Sequence, residues 1–263
     1  MLDLNNRPGG PNLIVTAKTA HKVHFLDAAT LTMAATIDMP GSTHELALSP
    51  DGRLAYGTVY GDGVFAKRVN PDRRIVVIDL ASKSLQRIID LGAVYAPHGV
   101  MMDERGTLWS SGELGNAVLA IDPATDKVLP IEVGSTAHWL AVSHATGKVF
   151  VSVKQDYAVV IDQARRLVID RIKLPHVIEG LAISPDGATL HCCAQSAAEL
   201  YVIDARTHAL QRTVPIEGAD GSKRQMRRVR VSPDNRYVVV TSDRKSTRLN
   251  SSHSLTSRMP SSA

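Results

Sequence analysis

The sequence predicts an all-β protein that is built from repeated units of four short antiparallel strands. Two recurring elements indicate this class: an apolar, β-branched run that ends in Asp, and an apolar run that ends in Ser-Pro-Asp-Gly or a variant of it. Four short strands in every ~40–45 residues are typical of the blades of a β-propeller. The residues that end the first element are Asp27, Asp79, Asp122, Asp162 and Asp204, at spacings of 52, 43, 40 and 42 residues.

Within one unit, each strand follows from a local pattern. A Pro-Asp-Gly turn at 50–52 ends the first apolar run, because Pro fixes φ and Gly tolerates positive φ. The alternating residues 53–59 predict the second strand, residues 76–79 the third, and residues 85–89 the fourth. A β-sandwich also contains regularly spaced short strands. It does not need near-identical units, so the propeller is favoured.

The units counted along the chain predict an incomplete propeller domain at 12–242. Residues 12–41 supply three strands and residues 229–242 supply two. A seven-bladed parent needs roughly 290 residues, so we expect an arc of about five to six blades here. We interpret residues 1–11 as an N-terminal segment and residues 60–72 as an enlarged loop. The complete four-stranded units are expected at about 44–91, 98–134, 138–175 and 179–217.

Residues 243–263 differ from the rest of the chain and are interpreted as a non-native tail. They are rich in Ser and show neither helical nor strand periodicity. Back-translated in frame, residues 243–253 match a widely used sequencing-library adapter, and residues 256–263 fit its next constant segment. The alternative is a disordered Ser-rich tail. We therefore expect the authentic protein to stop near Ser242 and to be truncated.

Composition argues against several functional classes. The net charge is +4, but without residues 243–263 the chain has 26 basic and 25 acidic residues. With 4% aromatic residues as well, nucleic acid is not an expected partner. No apolar run approaches the ~18 residues of a membrane helix, and residues 1–7 show no signal-peptide pattern. The adjacent Cys192 and Cys193 exclude a disulfide framework, and in a strand they point to opposite faces.

The turn motifs carry a family resemblance. The Ser-Pro-Asp-Gly-Arg turn at 49–53 and the Asp-Pro-Ala-Thr turn at 122–125 resemble the YVTN-type (YncE-like) family of β-propeller repeats. The resemblance covers residues 12–242 and implies a fold that is mostly seven-bladed. It implies no single function, since cell-surface proteins, cofactor-associated propellers and lactone-opening enzymes share this fold. It also implies a periplasmic or cell-surface location.

Alignment of the first strands singles out one polar position, which we call the aligned position. It lies two residues before the first aligned apolar residue, where the symmetry of a propeller brings equivalent positions together at the mouth of the central channel. Three imidazoles and a carboxylate at this mouth suit a divalent metal, or a general base beside an anion-binding Arg. The aligned position is occupied by His44, His98, His138, Glu179 and Arg227.

These residues lead to two functional hypotheses. The first is a binding or scaffold protein that recognises a small molecule or a protein partner on the loop face, at the channel mouth. The second is a propeller enzyme of the lactonase or lyase kind, with His98, His138 and Glu179 as candidate catalytic residues. No Gly-x-Ser-x-Gly motif supports a hydrolytic triad. The candidate metal ligands are His44, His98, His138 and Glu179, and the candidate ligand-binding residues also include Arg227, Lys67 and Arg68.

Overall fold

The computed structural model describes residues 12–64, 67–216 and 225–243, and its regular elements there are β-strands and one 3-10 turn, Lys18–Ala20. The N-terminal segment 1–11 and all but the first residue of the predicted tail 243–263 lie outside the described residues. The strands are β1 Asn12–Ala17, β2 Lys22–Asp27, β3 Met33–Asp38, β4 Thr43–Leu48, β5 Leu54–Val64, β6 Lys67–Asp79, β7 Ser84–Asp90, β8 Tyr95–Met102, β9 Leu108–Leu114, β10 Ala117–Asp122, β11 Lys127–Glu132, β12 Ala137–Ser143, β13 Lys148–Val153, β14 Tyr157–Asp162, β15 Leu167–Lys173, β16 Ile178–Ile183, β17 Thr189–Ala194, β18 Glu199–Asp204, β19 Leu210–Pro215, β20 Gln225–Val231 and β21 Val238–Asp243.

The strands form successive sheets in which chain neighbours pair. Four sheets have four strands each: β4-β5-β6-β7, β11-β10-β9-β8, β12-β13-β14-β15 and β16-β17-β18-β19. The first sheet, β1-β2-β3, has three strands, and the last described sheet, β20-β21, has two. Paired strands run antiparallel, for example β1–β2, β4–β5, β13–β14, β18–β19 and β20–β21. The predicted all-β class with repeated four-stranded antiparallel units is confirmed.

The expected loop at 60–72 is wrong. Strands β5 and β6 continue through most of it as a long hairpin, with Gly61 opposite Pro71 and Val64 opposite Lys67. The register shifts on either side of Gly61, where φ is +95°. A side chain has little access to that region of φ, and the shift lets the pairing continue past Val59. The insertion therefore lengthens a hairpin.

The repeated Asp residues cap the turn that follows a strand. The Asp204 carboxylate accepts hydrogen bonds from the backbone N–H groups of Arg206 (2.9 Å) and Thr207 (2.7 Å). These bonds lower the pKa of Asp204, because they favour its ionised form. In every repeat the residue four positions after the Asp has positive φ, which closes the turn. These residues are Leu31, Lys83, Asp126, Arg166 and His208.

The Ser-Pro-Asp turns form as the sequence predicts. In the first of them the Ser49 hydroxyl accepts the Leu54 N–H at 2.9 Å and donates to Asp51 at 2.6 Å. Residue 52 is Gly with φ +62°, as the turn requires. The same hydroxyl bonds recur at Ser184 and Ser232.

The chain divides into two compact units, Met1–Gly115 with Ile121–Leu129, and Asn116–Ala120 with Pro130–Ala263; we call them unit 1 and unit 2. In unit 1, Val23, Phe25 and Val76 belong to one apolar core. In unit 2, Cys192 is buried in one apolar core and Cys193 in another. The two thiols therefore point to opposite faces of β17, as the sequence predicts, and both are core residues.

Candidate functional site

The aligned position coincides with a β-bulge in the first strand of five of the described sheets; the sheet β1-β2-β3 has none in β1. The register shifts between Thr43 and Leu46 in β4, and between Ala137 and Leu140 in β12. Bulges turn a side chain away from the regular alternation of a strand and are frequent beside binding sites. The bulges in β8, β16 and β20 fall at Pro97/Val100, Ile178/Leu181 and Met226/Arg228.

A side chain on the second strand closes each of the first four of these bulges. In unit 2 the Ser152 hydroxyl accepts the Trp139 N–H at 2.9 Å and donates to the Glu179 carbonyl at 3.0 Å. A bulge leaves a backbone N–H without its ladder partner, and the hydroxyl supplies one. The closing residues are Thr58, Ser111, Ser152 and Cys193, which accept the N–H groups of Glu45, Gly99, Trp139 and Gly180.

In unit 2 the bulges bring Glu179 together with His138 and Arg227. The His138 Nε2 atom lies 3.1 Å from Glu179 Oε1, and an Arg227 guanidinium nitrogen lies 3.7 Å from the same oxygen. Lys154 donates to Glu179 Oε2 at 2.7 Å. The His138 and Glu179 side chains are 5% and 10% exposed, so water screens these interactions little. We call these four residues the Glu179 cluster.

The Glu179 cluster contains one ionised carboxylate and an excess of cationic groups. Burial alone raises the pKa of the Glu179 carboxyl, but the hydrogen bond and charge of His138, together with Lys154, outweigh burial and lower the pKa to about 2. Glu179 is therefore ionised at neutral pH. Lys154 and Arg227 bring two positive charges to it, so a further metal cation beside Glu179 meets repulsion. An anion meets attraction.

Trp139 provides an aromatic surface beside this cluster. The Arg228 guanidinium lies 3.9 Å from the centre of a Trp139 ring, within the range of a cation–π contact. Gly180 allows β20 to approach β16 closely, because a Cβ atom there would lie 2.6 Å from the Arg227 carbonyl oxygen. Strand β20 thereby adds two guanidinium groups to the same region.

In unit 1 the bulges bring His44 and His98 together. The centres of their rings lie 4.3 Å apart, and Tyr60 lies 5.3 Å from His44 and 5.9 Å from His98. The Tyr60 hydroxyl donates to Glu113 Oε2 at 2.6 Å. The Lys18 ammonium lies 4.5 Å above the Tyr60 ring, and burial lowers the pKa of Lys18. We call these five residues the His98 cluster.

The aligned position contains three of the four residues of the Glu179 cluster and two of the five residues of the His98 cluster; Lys154, Lys18, Tyr60 and Glu113 were not predicted. Tyr60, Glu113 and Lys154 each lie two residues after a residue that closes a bulge, and residues two apart on a strand share a face. A second aligned column, Tyr60-Glu113-Lys154-Gln195, therefore runs beside the first and was present in the repeats. The predicted ligand-binding side chains of Lys67 and Arg68 lie outside the described residues.

A further polar group, also in unit 1, contains Ser, His and Asp but is not arranged as a hydrolytic triad. The Ser42 hydroxyl lies 3.1 Å from His21 Nε2 and donates to Asp62 at 3.2 Å. In a triad the Asp holds the opposite nitrogen of the His ring. Here Asp62 lies 3.7 Å from the same Nε2 atom, so it does not orient the ring for proton abstraction from Ser42.

Comparison with known proteins supports the fold. A solved structure described as "Kuenenia stuttgartiensis Hydrazine Synthase" matches 91% of this chain and 74% of its own, with a TM-score of 0.73 and 17% sequence identity. At that identity the similarity concerns the fold alone. It places the chain among β-propeller proteins. No family model matches the sequence, and no curated protein matches it. In the part of the chain that the structure describes, no helix has the length and apolar character to cross a membrane.

Proposed function

We propose that this propeller protein binds a small organic oxyanion, a carboxylate or a phosphate, at the Glu179 cluster in unit 2. The observation that carries the proposal is the ionised Glu179 carboxylate with His138, Lys154 and Arg227 around it. Arg in particular matches the planar geometry of carboxylate and phosphate groups. The family resemblance to YVTN-type repeats agrees with a binding role.

Partial exposure of the cationic groups supports this proposal. The Arg227 side chain is 35% exposed, whereas Lys154 is 15% exposed and Glu179 10%. Glu179 and Lys154 thus neutralise each other in a buried pair. Arg227 lies 3.7 Å from Glu179 through one guanidinium nitrogen and donates to Gln225 at 2.9 Å through another, and its partly exposed edge is the one that an anion would approach. Because this edge lies next to buried groups, its attraction for an anion is stronger than that of a fully hydrated surface Arg.

The contact between His138 and Glu179 favours a second candidate, an enzyme of the lactonase or lyase kind. A carboxylate 3.1 Å from an imidazole nitrogen fixes the orientation of the ring. A bound organic acid would then lie beside a general acid or base. This candidate shares the binding site of the first and adds a chemical step at His138.

Titration with citrate tests the binding proposal. We expect the wild-type chain to bind citrate at low ionic strength in isothermal titration calorimetry, and Arg227→Gln to weaken binding at least ~10-fold, as the loss of one charge-assisted hydrogen bond predicts. Arg171→Gln is the matched control, because it removes an equal charge from an arginine of unit 2 that lies 6.0 Å from the Tyr157 ring. Equal affinities of all three proteins would contradict the proposal.

A turnover assay distinguishes the enzyme candidate from a protein that only binds. The rate of δ-valerolactone hydrolysis is measured in a pH-stat from the acid released. If His138 and Glu179 are catalytic, this rate should exceed the protein-free rate and depend on His138. Loss of that rate in His138→Gln, in a variant that still binds citrate, would support the enzyme. If the wild-type protein gives only the protein-free rate, the enzyme candidate is contradicted and the binding proposal stands by itself.

A further inference from the structure

We infer that the ligand of the Glu179 cluster carries two anionic groups, the first at Arg227 and the second at the Arg228 guanidinium that lies over Trp139. The inference deepens the proposed oxyanion binding and rests on it, because it concerns the same region of unit 2. It adds the class of ligand, a dianion, of which a dicarboxylate is the simplest example. The second anionic group is a carboxylate or a phosphate, since arginine recognises both through the N–H groups of its planar guanidinium.

The bulge in β20 places two consecutive arginines off the apolar face of the strand. Met226 and Val229 belong to one core with residues of the sheet β16-β17-β18-β19. In a regular strand, residues three positions apart lie on opposite faces. The extra residue of the bulge between Met226 and Arg228 restores Met226 and Val229 to one face. Arg227 and Arg228 therefore lie side by side between two core residues, and neither belongs to that core.

Trp139 connects the Arg228 guanidinium to the Glu179 cluster. The His138 ring of the cluster lies 6.2 Å from the Trp139 ring, at an angle of 86° to it. The Arg228 guanidinium lies 3.9 Å from the centre of a Trp139 ring, and that of Arg230 lies 5.8 Å from it. A ligand at Arg227 thus has a second guanidinium on the next residue of the chain, beside the same cluster.

Contact with Trp139 suits Arg228 to the recognition of an anion. A guanidinium 3.9 Å from a ring centre contacts the ring with its face, whereas its N–H donors lie in its own plane. The contact also restricts a long side chain, so less conformational entropy is lost when an anion binds. Arg228 is nearer to the ring than Arg230, which donates to the Val229 carbonyl at 3.0 Å. We therefore assign the second anionic group to Arg228.

The charges of this region favour a dianion over a monoanion. Glu179 and Lys154 neutralise each other in a buried pair, and Arg227 and Arg228 add two positive charges beside them. A monoanion engages one of these guanidinium groups. Two linked anionic groups engage both in one binding event, and the second contact then costs little further translational entropy.

Succinate and butyrate test the inference, because they have the same four-carbon chain and differ in the second carboxylate. In isothermal titration calorimetry at low ionic strength, we expect the wild-type chain to bind succinate at least ~10-fold more tightly than butyrate, as one more charge-assisted hydrogen bond predicts. 3-Phosphonopropionate places a phosphonate at the second position. The tighter of this ligand and succinate identifies the second group as phosphate or carboxylate.

Variants locate the second contact. In Arg228→Gln the ratio of the succinate and butyrate affinities should fall from at least ~10 to about 1, whereas Arg227→Gln should weaken both ligands at least ~10-fold. Arg236→Gln is the matched control and should keep the ratio, because it removes another arginine of the β20-β21 hairpin, one that lies 5.4 Å from the Tyr237 ring. Near-ultraviolet circular dichroism verifies that each variant is folded. If Arg228→Gln does not fold, the comparison of the two acids in the wild type decides.

The outcomes separate this inference from the oxyanion proposal on which it rests. Equal wild-type affinities for succinate and butyrate, both lowered by Arg227→Gln, would overturn the inference and leave oxyanion binding intact. Binding of neither acid would contradict both. A preference for succinate that folded Arg228→Gln retains in full would overturn the assignment of the second anionic group.

Discussion

Replacement of Glu179 by Gln tests the electrostatics of the Glu179 cluster. The substitution keeps the shape of the side chain and removes its charge, so the partly buried Lys154 ammonium loses the charge of the carboxylate to which it donates. The pKa of Glu179 falls from 4.5 to about 2 on folding, and one pKa unit corresponds to about 1.4 kcal/mol. Glu179→Gln should therefore reduce the free energy of unfolding at pH 7 by about 3 kcal/mol.

The same shift fixes the pH dependence of this effect. Because the folded pKa lies below the unfolded one, the contribution of Glu179 is complete above pH 4.5 and is lost as pH falls towards 2. The difference between wild type and Glu179→Gln should shrink from about 3 kcal/mol at pH 7 to about 2 kcal/mol at pH 3.5.

Urea denaturation followed by tryptophan fluorescence measures this difference at both pH values, and Glu199→Gln serves as the control for loss of a partly exposed carboxylate in the same unit. A Glu179→Gln variant as stable as the wild type at pH 7 would refute the reasoning. A large difference that does not change with pH would refute the assigned pKa.

Two further predictions concern buried groups of unit 2. Burial, followed by the charge of Arg212, lowers the pKa of His191 to about 4. Folding therefore favours the neutral imidazole, and the free energy of unfolding should fall by up to about 3 kcal/mol as pH drops from 6.5 to 4. Denaturation curves of His191→Leu should lack this pH dependence. Cys193 closes the bulge at Gly180 through its thiol, so Cys193→Ser should keep the melting temperature within a few degrees, whereas Cys193→Ala should cost about 1–3 kcal/mol by leaving the Gly180 N–H unbonded. Equal stability of the Ser and Ala variants would contradict this role.

The repeat predicts the fold because each recurrent residue type has a local physical function. Asp204 and its equivalents bond the backbone of the next turn, and Ser49 and its equivalents bond across the Pro-Asp-Gly turn. These contacts span only two to five residues, so the pattern along the chain carries them. The same locality explains why the strand order is readable from the sequence.

The sequence predicts only part of the site, because some of its contacts join residues that are far apart in the chain. The aligned position marks His138 and Glu179 because both follow the same point of an apolar run. The bonds from Lys154 to Glu179 and from Tyr60 to Glu113 join residues 25 and 53 positions apart. Their partners change from one sheet to the next, and no repeat pattern encodes which of them meet.

The extended hairpin at 60–72 shows the limit of composition as a guide. Gly61, Gly63 and Asn70 resemble loop residues, but each takes positive φ inside or beside a paired strand. Turn-forming residues indicate where the backbone needs unusual angles. They do not indicate whether the chain on either side stops pairing.

Crystals grown in selenate test the central claim, oxyanion binding beside Glu179, most directly. Selenate is a tetrahedral oxyanion whose selenium is located by anomalous diffraction. We expect an anomalous peak next to Lys154, with a selenate oxygen ~2.7–3.2 Å from an Arg227 guanidinium nitrogen. The peak should be absent in crystals of Arg227→Gln grown in the same solution. Selenium that is located only at other surface residues, with none at Arg227, would contradict the claim.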